Sequence, residues 1–123
     1  MATVGIIEDS SLVVQMLTMV CEEHGHSVRS FERFGDAADA FRDDPPDIVI
    51  TDLNLPDIPD GSPLEKLRAI EGLFHTPVVI ISGRPAEELQ KLADASGAQG
   101  ALSKDDGMPV ISSQLPSMIE QLV

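Results

Sequence analysis

The chain has 123 residues, the size of one ordinary globular domain. Apolar residues make up 42% and charged residues 24%, which is enough apolar material for a packed core and too much for a disordered chain. With 21 acidic residues against 8 Lys and Arg, the formal net charge is -13, and such a surface repels nucleic-acid phosphates and anionic lipid.

Neither a membrane nor a disulfide framework fits. The longest clean apolar run is the short Val78-Val79-Ile80-Ile81, far below a membrane span. The start of the chain reaches Glu8-Asp9 at once, without the basic and apolar stretches of a secretory leader. One cysteine, Cys21, can form no internal disulfide and no cysteine-based zinc site. The expected setting is cytoplasmic.

In chain order, Val4-Gly5-Ile6-Ile7 reads as a first strand. Ser10 can cap a following helix that buries Leu12, Val13, Met16, Leu17 and Val20 and stops at Gly25. Met16 and Met19 read as packing residues, and Cys21 as a half-buried small side chain. His26 to Phe31 is a half-exposed second strand, and Asp36 to Arg42 a short helix stopped by Pro45-Pro46. Ile48 to Thr51 and Val78 to Ile81 are strands without polar alternation. Between them, Ser62 and Pro63 open a helix carrying Leu64, Leu67 and Ile70. Pro85 opens another, with Leu89 and Leu92, that ends near Gly97. Gln99 to Leu102 is a weak fifth strand. The last helix carries Val110, Ile111, Leu115, Met118, Ile119 and Leu122, with Pro116 predicting a kink or a late start. His24, His26 and His75 show no ligand spacing.

Continuous apolar strands separated by amphipathic helices predict a parallel sheet buried on both faces. Five such units make a three-layer α/β/α doubly wound fold of the flavodoxin-like kind, with strand order 2-1-3-4-5. Chemistry in this fold gathers at the carboxyl ends of the strands. Those ends carry Glu8-Asp9, Asp52, Ser82-Gly83 and Lys104. Three carboxylates crowded together repel, and Mg²⁺ is the cation suited to a few carboxylates, water and a phosphate oxygen. An ionised aspartate there can attack phosphorus, while a lysine and a hydroxyl hold the phosphoryl oxygens. Each residue also has a plain reading: Glu8-Asp9 as a helix-start device, Asp52 as a strand end, Ser82 as a helix cap, Lys104 as a solvated lysine.

Glu8-Asp9, Thr51-Asp52, Pro56 with Asp60-Gly61, Thr76-Pro77, Ser82, and Gly97-Ala98-Gln99-Gly100 leading to Lys104 fall in order along nearly the whole chain. Together they resemble the receiver domain of two-component response regulators. The resemblance implies that Asp52 accepts a phosphoryl group from a histidine kinase or histidine phosphotransfer protein. It implies that Mg²⁺ is held by Glu8, Asp9, Asp52 and the backbone carbonyl of Asn54, with Glu8 partly through water. Ser82 is then the switch hydroxyl and Lys104 the ion-pair partner of the phosphoryl group. Gly83 leaves the donor room to approach, and Asn54 and Arg84 flank the phosphosite.

Three departures from the family pattern stand out. Ala101 replaces the usual Tyr or Phe three residues before the lysine. Asp105 follows Lys104 where the family has a cis proline, so the loop either keeps a strained bond or takes another path. The loop Pro56-Asp57-Ile58-Pro59-Asp60-Gly61 is one residue longer than the common form.

The leading expectation is a single receiver domain over 1–123 that signals to a separate effector protein or relays phosphate, with dimerisation on phosphorylation left open. No turnover of an external substrate is expected. The alternative is a receiver-like interaction module that is never phosphorylated, favoured by Ala101 and Asp105. A third class, an Mg²⁺-dependent phosphatase or nucleic-acid enzyme, generally needs a second acid two residues after Asp52, where this chain has Asn54.

Overall fold

The computed structural model describes residues 1–58 and 63–123. The strands are β1 (Thr3–Ile7), β2 (Ser27–Phe31), β3 (Ile48–Asp52), β4 (Val78–Ser82) and β5 (Gly100–Ser103). They are separated by α1 (Ser11–Glu23), α2 (Phe34–Asp43), α3 (Pro63–Arg68) and α4 (Ala86–Ser96). A 3-10 turn, Lys104–Asp106, leads into α5 (Met108–Leu122). The strands form one sheet in the order β2-β1-β3-β4-β5, the order expected for the flavodoxin-like fold, and every pairing is parallel, as the apolar patterning predicts.

Alternation along the central strands builds a core on each face. Val4, Ile6, Ile48, Ile50, Val79 and Ile81 pack under α1 and α5, against Leu17, Cys21, Ile111, Leu115 and Ile119. The other faces of the same strands, Ile7, Val49 and Val78, pack under α2 and α3 with Phe41, Leu64 and Leu67. Ile80 meets Leu89 and Ala93 of α4. Gly5 permits the closest approach on that side, since a Cβ there would lie 2.5 Å from the Phe41 ring.

The helix ends follow local chemistry. Ser10 Oγ accepts the Val13 N–H and starts α1, and Gly97, at φ 84°, closes α4 in the left-handed region open to glycine. At the start of α2 the cap position is Arg33, which has no acceptor. Asp57, from the loop after β3, supplies it: its two carboxylate oxygens accept the Phe34 and Gly35 N–H groups at 2.9 and 2.8 Å. Desolvation pushes the Asp57 carboxyl up, but the backbone N–H bonds and the nearby Arg33 charge together outweigh it and hold the group below its usual range.

Several expectations need correction. Leu12 is 64% exposed and Met19 61%, so α1 buries the narrower arc of Leu17, Val20 and Cys21, with Val13, Val14 and Met16 partly covered. Cys21 is fully buried, and burial pushes its thiol up to about 11. The second helix is longer at both ends than Asp36 to Arg42. The fifth strand starts at Gly100, after Gln99 has turned its side-chain oxygen to the Val78 N–H. The last helix starts at Met108 and continues through Pro116, so no late start occurs. Ser62 and Asp60-Gly61 lie outside the described residues.

Candidate functional site

Burying a polar group is costly unless something compensates for it. Among the described residues, the buried polar and charged ones are Glu8, Thr51, Asp52, Ser82 and Ser103. All five sit in the last two residues of a strand or just beyond it, on β1, β3, β4 and β5. Among the described residues, the buried polar side chains are therefore confined to one edge of the sheet.

That edge is where the predicted residues meet. Glu8, Asp9 and Asp52 each offer a carboxylate oxygen, and the three oxygens lie within 4.8 Å of one another. Lys104 Nζ lies 2.5 Å from Glu8 Oε1 as an ion pair, outside hydrogen-bond alignment, and 3.2 Å from Asp52 Oδ2 as a hydrogen bond. Glu8 Oε2 accepts the Ser10 N–H, which ties the buried acid to the start of α1. Asp52 Oδ1 accepts the Asn54 N–H at 3.1 Å, while the Asn54 side chain is exposed.

The electrostatics follow from this crowding. Burial pushes the Glu8 carboxyl up to about 7; Lys104 and the Ser10 N–H oppose the rise, and Asp9 and Asp52 add to it. For Lys104, burial works against the charge, but Glu8 and Asp52 outweigh it and hold the ammonium above its usual range. With Glu8 ionised, three carboxylates against one ammonium leave two negative charges unbalanced on hard oxygen donors. This donor set fits Mg²⁺, which binds through a few carboxylates and keeps part of its water shell.

Ser82 is the last residue of β4, beside Ser103 of β5 in the register. Its hydroxyl accepts the Arg84 N–H at 3.4 Å and does not cap α4, whose cap position is Pro85. Next to Gly83 the space is open, with no atom within 4 Å of where a Cβ would stand. Arg84 is exposed and lies 3.6 Å from Glu88.

Between Lys104 and Asp105 the backbone is trans. The chain takes the other path open to it: Ser103 Oγ accepts the Asp105 N–H at 3.2 Å and caps the 3-10 turn. Ser103 and Asp57 are the working residues that sequence reasoning passes over. A serine ending an apolar strand next to a lysine was the only hint of the first. The second acts across more than twenty residues and leaves no local pattern.

The family model of the response regulator receiver domain matches residues 4–115. The chain belongs to that family. Protein PilH of Pseudomonas aeruginosa is 29% identical over 104 residues, covering 85% of this chain and 86% of PilH. The KDP operon transcriptional regulatory protein KdpE of Escherichia coli is 30% identical over 115 residues, covering 94% of this chain. This receiver spans about half the length of KdpE and of several other curated relatives.

Among solved structures, the Vibrio cholerae chemotaxis protein CheY4 superposes with a TM-score of 0.83 at 22% identity, covering 100% of this chain and 99% of CheY4. The receiver domain of the Pseudomonas aeruginosa sensor histidine kinase PA1611, solved with a magnesium ion in its active-site cleft, gives 0.82 at 16% identity, covering 98% of this chain and 96% of that one. At these identities the likeness is one of fold.

Proposed function

We propose that this receiver is a phosphorylation-controlled switch with Asp52 as its phosphoacceptor. The observation that carries the reading is the cluster itself: a buried aspartate at a strand end, two further carboxylates within reach, and one lysine paired into the group. In the proposed step, an Asp52 Oδ forms a bond to the phosphorus of a phosphohistidine on a kinase or phosphotransfer protein. The P–N bond breaks, its electron pair stays on the imidazole nitrogen, and that nitrogen takes up a proton.

Glu8, Asp9, Asp52 and the Asn54 carbonyl are the groups that would hold Mg²⁺. When bound, the ion supplies the charge that lets these carboxylates stay ionised beside an incoming phosphate. The chain's own residues do the rest. Lys104, already beside Asp52, pairs with a phosphoryl oxygen, and the Ser82 hydroxyl donates to another. The open space at Gly83 admits the donor. Output then passes to a separate protein, and the domain itself turns over no external substrate.

The phosphorylation-independent module is the second reading, favoured by Ala101 and by the altered path after Lys104. Intact mass after incubation with Mg²⁺ and acetyl phosphate separates the two. One added phosphoryl group, absent in Asp52→Asn and absent without metal, supports the switch. An unchanged mass together with no binding of beryllofluoride supports the module.

A further inference from the structure

The two loops proposed to grip the phosphoryl group are joined by one buried hydroxyl. Ser103, 3% exposed, donates from Oγ to the Arg84 carbonyl at 2.6 Å and accepts the Asp105 N–H at 3.2 Å. Arg84 stands two residues after Ser82, and Asp105 directly follows Lys104. The same oxygen thus touches the backbone of the loop carrying the switch hydroxyl and of the 3-10 turn carrying the lysine. That turn runs straight into α5, whose start is set at Gly107 by the Ile111 N–H bonding to the Gly107 carbonyl.

Only a side chain that both donates and accepts can make this bridge, and serine is the smallest that does. The hydroxyl itself is buried while Arg84 and Asp105 are exposed, so the bridge runs from the end of the sheet out to two surface loops.

We infer that Ser103 is a positioning residue that passes the state of Asp52 to the start of α5, through the Arg84 carbonyl and the Asp105 N–H. This rests on the proposed phosphorylation of Asp52. When Ser82 closes on the phosphoryl group, the Arg84 carbonyl moves with its loop. The Ser103 hydroxyl follows the carbonyl, the Asp105 N–H loses its acceptor, and the 3-10 turn loosens ahead of α5.

Amide NMR with Mg²⁺ and beryllofluoride as the phosphoryl stand-in tests this. In the unaltered protein, the Ser82 and Gly83 amides shift, the Asp105, Asp106 and Gly107 amides shift with them, and hydrogen exchange at the Asp105 amide accelerates. In Ser103→Ala, the shifts at Ser82 and Gly83 persist while those at Asp105 to Gly107 are lost. Ser103→Thr, which keeps the hydroxyl, restores them. If Ser103→Ala keeps full shifts at Asp105 to Gly107, the coupling is wrong and the switch reading stands. An unchanged Asp105 exchange rate in the unaltered protein overturns the coupling without any variant. A spectrum of the unaltered protein that responds nowhere overturns the phosphorylation reading, and the coupling falls with it.

Discussion

Lys104 reaches across 52 residues of sequence to place its ammonium 3.2 Å from the Asp52 carboxylate. It is also the ion-pair partner of the buried Glu8. One cation therefore balances part of a three-carboxylate cluster, and its removal should be felt in chemistry more than in folding. Lys104→Met is expected to slow phosphorylation of Asp52 by acetyl phosphate about 100-fold, the loss typical of one preorganised charge-stabilising group. A mass-spectrometric time course reads this directly; a rate equal to that of the unaltered protein would remove Lys104 from the site.

Glu8 contributes a pH dependence to the stability of the metal-free protein. Its folded value, about 7, lies above the ordinary 4.5, so folding takes up a proton between those values. The contribution of this group to stability is then greatest below about 4.5, falls as pH rises, and reaches its full cost above about 7. Asp57 acts in the opposite sense lower down, since its depressed value adds stability that is lost on acidification. With metal chelated, Tm is expected to decline from mildly acid to neutral pH, and Glu8→Gln to flatten that decline. Mg²⁺ should recover more stability at pH 8 than at pH 5, because its ligands must be deprotonated. A Tm that climbs through this range in the chelated protein, and equally so in Glu8→Gln, would contradict the assignment.

The Asp57 bridge predicts a structural effect away from the phosphosite. Asp57→Ala leaves the Phe34 and Gly35 N–H groups without their side-chain acceptor, and the expected cost is about 1 kcal/mol. Chemical denaturation measures it. Asp57→Asn should lose less, because the amide keeps one acceptor oxygen.

Gly5→Ala drives a methyl group into the Phe41 ring and is expected to cost about 1–3 kcal/mol. The origin of the cost can be checked by a double-mutant cycle. Shrinking the ring with Phe41→Leu should make the added methyl cheaper, whereas additive effects would place the strain elsewhere.

The sheet was legible because Ile48 to Ile50 and Val78 to Ile81 are apolar without alternation, which only a strand covered on both faces requires. The site was legible for a related reason: once the strands are placed, their carboxyl ends bring Glu8, Asp9, Asp52, Ser82 and Lys104 to one edge whatever the details of packing. Helix faces were less so. Periodicity gives the direction of an apolar stripe but not its width, so Leu12 and Met19 were counted into a face whose buried arc is Leu17, Val20 and Cys21. The path after Lys104 stayed open because its cap, Ser103, is the residue before the lysine and looks like an ordinary strand end. Asp57 was hidden by distance along the chain, its partners being on α2.

Asp52 is the proposed carrier of the phosphoryl group, and the most direct measurement locates that group. The protein is treated with acetyl phosphate and Mg²⁺, the acyl phosphate is reduced with borohydride, and the peptides are mapped by mass spectrometry. Reduction converts a phosphorylated aspartate to homoserine, and homoserine is expected at position 52 alone. Homoserine at another carboxylate, or none in a protein that also fails to bind beryllofluoride, would contradict this role for Asp52.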